Sequence, residues 1–382
     1  MAKGMARRMA MLGIAATLSA SLVGCEADRG GPLLGGGAST EGGRTLTVVK
    51  DGGRQPNEDI AVARIHRLEG ASIEQWLSDD EARLVITKVE KAAAETEEPK
   101  YQYFATTVDL RTDKQEELQP LAEPSSPGAI TRTYPSPDGR FSFVQEWQDK
   151  YTASNSVLNL STGESVEVPV ANYLEKGGWL DNETYVLAAG SMNGRGEIYA
   201  VSTNGRSKVI QLDDPDAETF EQFEAGYGRI YYLDGKQNLK AFAPGDAKPV
   251  TLVKGAGPFR LSPAGNRIAV TAAYQEGVPG TKLTMYDTAG SAQGFLIGKG
   301  DLVSDISWSP DGSLFAFSVY TEAKSGMNGV YVYDSATGKV SPIGPSYFPQ
   351  YPLSWNPSGT RLGVTVGGEN GLPVTQIIDF KS

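Results

Sequence analysis

The sequence predicts an all-β fold made of several similar four-stranded units, and three observations support this prediction. Its 382 residues include 45 glycines, 22 prolines and 17 tyrosines, which suits short strands and tight turns better than long helices. Apolar and polar residues alternate in short runs, as in half-buried strands. One pattern, an aromatic or large apolar residue followed by a turn and an alternating run, recurs along the chain.

The first 24 residues have the features of a secretory signal peptide and are excluded from the fold. Lys3, Arg7 and Arg8 precede an uncharged stretch, residues 9–24, which is shorter than the ~20 residues of a membrane-spanning helix. Cys25, the only cysteine of the chain, follows this stretch directly. With a single cysteine, no disulfide can form within the chain.

Residues 22–25, Leu-Val-Gly-Cys, resemble the lipobox of bacterial lipoproteins. The resemblance implies that Cys25 is lipidated, becomes the mature N-terminus and anchors an extracytoplasmic protein to the cell membrane. The alternative is an ordinary signal peptide with a chance cysteine beside its cleavage site. Residues 25–58 are then the lipidated cysteine and a flexible Gly-rich tether, and residues 59–382 form the folded domain.

The charge of the chain limits its partners. The formal charge is −11, and removing residues 1–24 with their three positive side chains takes it to −14. An acidic body repels phosphate backbones and anionic headgroups, which argues against a nucleic acid partner and leaves membrane attachment to the lipid. The partners expected are the membrane, through the anchor, and a protein or glycan.

Seven copies of the recurring pattern divide the domain. Their aromatic or apolar residues are separated by 38 to 58 residues, close to the ~40–50 residues of a four-stranded propeller blade. The clearest copy is Ile306–Phe317. The seven positions are Trp76, Tyr134, Trp179, Phe223, Leu261, Trp308 and Trp355.

Two kinds of turn recur within each copy. Ser-Pro-Asp-Gly, complete at residues 136–139 and 309–312, suits a type I turn after the first strand. A second turn, between the third and fourth strands, is marked by Gly163, Gly205, Gly245, Gly290 and Gly338. Each unit is therefore predicted to contain strands a, b, c and d, with tight a–b and c–d turns.

These repeats, with Trp308-Ser-Pro-Asp-Gly as the best match, resemble the WD40-like repeats of TolB-like β-propellers. The resemblance implies an all-β domain over residues 59–382, a single β-propeller of seven four-stranded blades. TolB itself has six blades and a preceding α/β domain, for which residues 26–58 are too few. A role in the Tol system is therefore not implied.

The ends of the domain predict how such a ring would close. The last unit stops after strand c at Thr375–Phe380, so its fourth strand must come from elsewhere. We expect Ile60–Arg67, just before the first unit, to pair with it. Thr45–Lys50 is a second candidate.

The long b–c and d–a loops would share one face of the domain, and we expect ligands to bind there. The candidate binding residues are aromatic and lie in or beside these loops: Trp147, Tyr151, Tyr274, Tyr320, Tyr347, Phe348 and Tyr351. Such residues can anchor a protein or stack on sugars. The alternative is that they fill the channel or pack between loops, and the repeat tryptophans are expected to pack between blades.

The sequence predicts no catalytic residues, no cofactor and no metal. His66 is the only histidine, and no G-x-S-x-G elbow or Cys/His cluster occurs. Carboxylate chemistry is left open, because the loop acids Glu146, Asp149, Glu276 and Glu322 could converge. A further acidic loop is interpreted as solvated rather than calcium-binding; it contains Asp213, Asp214, Asp216 and Glu218.

Three functions are compatible with this sequence. The first is a binding or scaffold propeller for an envelope protein or a cell-wall glycan. The second is a carbohydrate-active hydrolase or lyase that uses paired carboxylates at the propeller mouth. The third is an accessory sensor of a membrane kinase or transporter.

Overall fold

The computed structural model describes residues 60–91, 99–121, 130–148, 152–172, 176–191, 194–220, 222–273, 280–322, 326–344, 349, 352–368 and 371–381. The predicted signal peptide, Cys25 and Thr45–Lys50 lie outside these residues. No helix within the described ranges is long and apolar enough to span a membrane.

The described residues form 29 strands in seven antiparallel sheets, numbered here in chain order. The first sheet contains β2 (Ala71–Trp76), β3 (Glu81–Lys91), β4 (Lys100–Asp109), β5 (Lys114–Gln115) and β6 (Gln119–Leu121). The second contains β7 (Ile130–Pro135), β8 (Phe141–Trp147), β9 (Ala153–Asn159) and β10 (Ser165–Asn172). The third contains β11 (Gly177–Trp179), β12 (Thr184–Ser191), β13 (Gly194–Ser202) and β14 (Ser207–Ile210).

The fourth sheet contains β15 (Phe223–Gly226), β16 (Arg229–Leu233), β17 (Asn238–Phe242) and β18 (Val250–Lys254). The fifth contains β19 (Ala256–Leu261), β20 (Arg267–Ala272), β21 (Thr281–Asp287) and β22 (Ala292–Gly300). The sixth contains β23 (Leu302–Trp308), β24 (Leu314–Tyr320), β25 (Gly329–Asp334) and β26 (Val340–Pro342). The seventh contains β27 (Ser354–Trp355), β28 (Arg361–Gly367), β29 (Pro373–Phe380) and β1 (Val62–Glu69).

Within each sheet the strands pair in the predicted a, b, c, d order. In the second to sixth sheets the spatial order equals the chain order, so each strand pairs with the next. The first sheet divides its fourth position between two short strands, β5 and β6, which both pair with β4. An all-β chain with many four-stranded antiparallel sheets is consistent with a β-propeller.

The turn chemistry explains why these strands begin and end where they do. Ser309 Oγ donates a hydrogen bond to Asp311 Oδ1 at 2.6 Å and accepts one from the Leu314 amide at 2.9 Å, which fixes both ends of the turn. The following glycine, Gly312, has a φ of 71°, a conformation that costs other residues free energy. The five predicted c–d glycines likewise have φ between 73° and 102°.

Phe223 is the exception among the seven repeat positions. The other six residues lie at or next to the end of a first strand, whereas Phe223 is the first residue of β15. The reason is a shorter turn: Gly226 pairs with Arg229, which leaves only Tyr227 and Gly228 between the strands. Both have positive φ, 54° and 74°, as a two-residue hairpin turn requires.

The predicted pairing of the two ends of the domain is present. Strand β1 pairs antiparallel with β29, and His66 lies opposite Ile377. The strand that precedes the first sheet therefore forms the fourth strand of the seventh sheet. Ile377 also belongs to an apolar cluster with Ala71 and Leu84 of the first sheet.

The core lies between neighbouring sheets rather than in one central cluster. Each of five buried clusters combines side chains of two consecutive sheets, from the second and third to the sixth and seventh. Phe143 of the second sheet, for example, stacks on Tyr185 of the third with ring centroids 3.8 Å apart. Such face-to-face packing buries both faces of a sheet and gives its middle strands nearly continuous apolar sequences.

Candidate functional site

The four repeat tryptophans pack between sheets, as the sequence predicts. Each indole Nε1 donates a hydrogen bond to a backbone carbonyl in the first strand of a neighbouring sheet, at 2.8 to 3.4 Å. The donor–acceptor pairs are Trp179 with Tyr134, Trp308 with Arg260, Trp355 with Ser307 and Trp76 with Ser354. These side chains are part of the scaffold.

Two of the predicted binding aromatics, Trp147 and Tyr320, fall on described residues. Both end the second strand of their sheet, at the predicted loop face. Trp147 is buried, and its Nε1 has no hydrogen-bond partner within the described part of the chain. Tyr320 is 47% exposed. Tyr151, Tyr274, Tyr347, Phe348 and Tyr351 lie outside the described residues.

The loop-face end of the second and third sheets contains a cavity of about 800 Å³, named here the Arg195 cavity. The end of β10 forms one wall, and the end of β12 with the start of β13 forms the other. The segment after β14 completes it. Its lining includes Val170, Arg195, Glu197, Tyr199, Ser207 and Asp214. This volume lies within the ~300–1,000 Å³ of small-ligand sites.

Arg195 is the cation of this cavity and also lines an adjoining cavity of about 250 Å³. Its Nη1 donates to the carbonyl of Asp214 at 3.0 Å, and its Nη2 to the carbonyl of Leu212 at 3.4 Å. Gly196 follows it with a φ of 77°, and a Cβ there would lie 2.1 Å from the Ala189 carbonyl. This close approach requires glycine and sets the path of the chain beside Arg195.

The two acids of the Arg195 cavity are both engaged by other protein groups. Glu197 accepts a hydrogen bond from the Tyr199 hydroxyl, and this bond raises the pKa of Tyr199. Asp214 Oδ2 accepts from Lys240 Nζ at 2.8 Å and from the Tyr232 hydroxyl at 2.5 Å. Burial alone would raise the pKa of Asp214, but these hydrogen bonds hold it below its ordinary value.

The interpretation of residues 213–218 as a solvated acidic loop is therefore wrong for Asp214. This side chain is buried and shares Lys240 with Asp234, whose side chain is fully buried and whose Oδ2 lies 2.8 Å from Nζ. The ammonium of Lys240, 26 residues away in the sequence, pairs with the Asp214 carboxylate. Across the described ranges, no group of three or more His, Cys, Asp or Glu side chains could hold a metal ion.

A second cavity, of about 650 Å³, lies at the opposite, tight-turn end and is named here the Glu224 cavity. First strands and turns of the second to fifth sheets line it, with Trp179, Glu224 and Tyr227 among the lining residues. Glu224 Oε1 accepts from Arg260 Nη1 at 2.9 Å, and Oε2 accepts from the Leu261 amide at 2.8 Å. Burial raises the pKa of Glu224, and Arg260 only partly opposes this effect.

Arg195, Lys240 and Glu224 were not among the residues predicted from the sequence. No motif contains them, and their partners are backbone carbonyls or residues distant in the sequence or in other strands and loops. The available signal for Arg195 was its position at the start of a third strand, at the loop face. Of the four proposed loop acids, Glu146 and Glu322 line neither cavity, and Asp149 and Glu276 lie outside the described residues.

No protein-family model matches this chain, and no curated protein matches it in sequence. Solved structures do match. A fungal alcohol oxidase of the AA5 family, in complex with copper, is 10% identical with a TM-score of 0.50, over 84% of this chain and 77% of that one. The β-propeller domain of the trilobed protease from Pyrococcus furiosus is 15% identical with a TM-score of 0.48, over 80% and 94%.

TolB from Acinetobacter baumannii is also similar, with 15% identity and a TM-score of 0.37 over 78% of this chain and 80% of that one. Identities this low concern the fold alone, and the same fold hosts many unrelated functions. The class that the seven antiparallel sheets of the described residues support is an all-β fold consistent with a β-propeller.

Proposed function

We propose that the seven sheets are the seven blades of one closed propeller. The β1–β29 pairing supports closure, because it supplies the last blade with a strand from before the first blade. The Trp76 indole supports it further, since it donates to Ser354 of the seventh sheet as the other repeat tryptophans donate to their preceding sheets. The apolar contact of Ile377 with the first sheet points the same way.

This propeller binds a glycan in the Arg195 cavity and does not transform it. A concave cavity of about 800 Å³ suits a short oligosaccharide better than the flat surface of a folded protein. Its lining offers donors and acceptors for sugar hydroxyls in Arg195, Glu197, Tyr199 and Ser207. The propeller supplies a rigid frame, because cavity walls come from strands of two packed sheets.

One observation carries the preference for binding over catalysis. The acids of the cavity already serve the protein: Glu197 accepts from Tyr199, and Asp214 accepts from Lys240 and Tyr232. Asp214 is also held below its ordinary pKa, so it is a poor proton donor at neutral pH. A glycosidase needs one free acid and one free carboxylate on either side of the bond it breaks.

The protein acts at the outer side of the cell membrane, held by a lipid on Cys25. The support is the sequence of residues 1–25 alone. Intact-mass measurement of the membrane fraction tests it: the expected mass is that of a chain beginning at Cys25 with a diacylglycerol group. Cys25→Ala should remove the diacylglycerol mass, and a wild-type membrane fraction without that mass would contradict the proposal.

A glycan array probed with the full chain in detergent tests the binding function. Ala171→Trp fills the cavity from an exposed wall position, so it should abolish binding while leaving the fold intact. Ala247→Trp, in an exposed turn of the fourth sheet, is the matched control and should bind as the wild type does. Equal binding by both variants would contradict the assigned cavity.

A carbohydrate-active enzyme is the second candidate, and the Glu224 cavity is the observation that favours it. A partly buried carboxyl whose pKa is raised is what a general acid requires. Incubation of the chain with polysaccharides, followed by analysis of released oligosaccharides, separates the candidates. Cleavage that disappears in Glu224→Gln would establish the enzyme and overturn the non-catalytic proposal.

A further inference from the structure

Arg195 differs from most arginines of the described chain in what it contacts. Its guanidinium donates to two backbone carbonyls, those of Asp214 and Leu212. Within the described residues it forms no ion pair with a carboxylate. Seven other arginines pair with an acid: Arg64, Arg67, Arg83, Arg111, Arg140, Arg260 and Arg361. Arg195 is thus held in position by neutral groups, without a carboxylate partner among the described residues.

The carbonyls also leave part of the guanidinium fork unused. The group has five N–H donors in one plane, and the two contacts to Asp214 and Leu212 involve one N–H each. The residue lines both adjoining cavities, so its remaining donors border the space that a ligand would occupy. A planar fork with free donors matches the two oxygens of a carboxylate.

The base of this site is rigid, because a buried ion cluster holds the segment that contacts Arg195. Asp214 contributes its carbonyl to Arg195 and its carboxylate to Lys240, while Tyr232 donates to the same carboxylate. Lys240 in turn contacts the fully buried Asp234 at 2.8 Å. Asp214 therefore connects this buried cluster to the cavity wall, and its carboxylate is held by Lys240 and Tyr232.

We propose that Arg195 binds a carboxylate of the ligand, so that the glycan recognised is an acidic one, built from uronic acid or another carboxylated sugar. This inference rests on the proposed glycan-binding function and adds the chemical class of the ligand. Arg195 fixes the carboxylate, and the Tyr199, Glu197 and Ser207 side chains contact the sugar hydroxyls.

The test compares two probes by calorimetry on the full chain in detergent: a tetrasaccharide of glucuronic acid, and the same tetrasaccharide with its carboxyl groups reduced to alcohols. The acidic probe should bind at least about tenfold more tightly, because charge-assisted hydrogen bonds from a guanidinium to a carboxylate contribute about this much to affinity. Arg195→Gln should remove this difference, and Arg195→Lys should recover only part of it. Arg206→Gln, an exposed arginine in a turn of the same sheet, should change nothing.

The outcomes separate the inference from the function beneath it. If both probes bind equally to the wild type, or if Arg195→Gln keeps the discrimination, the acidic ligand class is wrong while glycan binding stands. If neither probe binds, and a glycan array gives no signal, the glycan function itself fails. An Arg195-dependent signal from a Glu-rich peptide with no glycan signal would assign the site to a protein partner and overturn the inference.

Discussion

The seam between the first and seventh sheets and the Arg195 cavity are both rich in charge, but they use it differently. At the seam, Arg361 contacts Asp379 at 2.9 Å and Asp80 at 2.7 Å. His66 lies between Asp113 and Asp379, with its ring nitrogens 3.1 and 3.2 Å from carboxylate oxygens. In the cavity, Arg195 has carbonyls as its partners.

The difference indicates which charges hold the fold and which face a ligand. Seam charges connect β1, β28 and β29 to turns of the first sheet, so their contribution goes to stability. The Arg195 charge contributes little to stability, because carbonyl contacts can be exchanged for water at small cost. The charge of Lys240, which pairs with Asp214 and Asp234, contributes to stability as the seam charges do. Four predictions follow this division, in order of decreasing effect.

Lys240→Met should destabilise the protein most, by about 3–5 kcal/mol, because it leaves the buried carboxylates of Asp214 and Asp234 without their cation. Urea unfolding monitored by tryptophan fluorescence measures the loss. Lys236→Met is the control: this exposed lysine pairs with Asp216, and its removal should change stability little. Equal losses of unfolding free energy in Lys240→Met and Lys236→Met would contradict the stabilising role assigned to the buried lysine.

A disulfide between β1 and β29, within the seventh sheet, should stabilise the protein by about 2–4 kcal/mol, since it closes a very long loop in the unfolded chain. Arg67 and Gln376 lie opposite each other in the β1–β29 pair, at a separation that an antiparallel cross-strand disulfide can span. Arg67→Cys with Gln376→Cys should form the bond on oxidation, seen as a shift on non-reducing gels. If the double variant does not form the disulfide although both single variants fold, the pairing of β1 with β29 is wrong.

The two arginines offer a direct comparison. Arg361→Gln should cost about 2 kcal/mol, because it removes charged hydrogen bonds to Asp379 and Asp80 from a largely buried position. Arg195→Gln should cost well under half of that, while changing ligand binding. Urea unfolding of both variants, side by side, checks the ratio. A larger loss for Arg195→Gln would mean that its role is structural.

Much of the fold follows from the sequence because its signals are local. Ser-Pro-Asp-Gly turns satisfy their own hydrogen bonds within five residues, as Ser309 does, so the motif alone places the strands around it. The end-to-end pairing was also predictable, because the last unit lacks a fourth strand. Phe223 was misplaced because Tyr227 and Gly228 replace the usual turn by a shorter one that keeps the aromatic pattern but changes its register.

The site was much less predictable, and the reason is the separation of its parts along the chain. Asp214 appears in the sequence as one of several loop acids, and only the folded chain brings Lys240 against it. The partners of Arg195 are backbone carbonyls, and because every residue has one, the sequence gives no sign of this contact. Trp147 and Tyr320 were placed at the correct end of their sheets, but their part in binding stays a prediction.

The smallest expected effect concerns the pH dependence of stability at the Glu224 cavity. Burial raises the pKa of Glu224 above its ordinary value of 4.5, so the folded chain holds this proton more tightly than the unfolded chain. Between the two values the folded state binds more protons, and the contribution of Glu224 to stability falls as pH rises. The free energy of unfolding of the wild type, relative to Glu224→Gln, should therefore decline as pH increases from about 4 toward neutrality. Arg260→Gln should move this decline to higher pH, because it removes the cation that opposes the shift. If the difference in unfolding free energy stays constant or grows with pH, Arg260 fully offsets the effect of burial on the Glu224 pKa. The Glu224–Arg260 pair would then be a stabilising ion pair, like the charges at the seam.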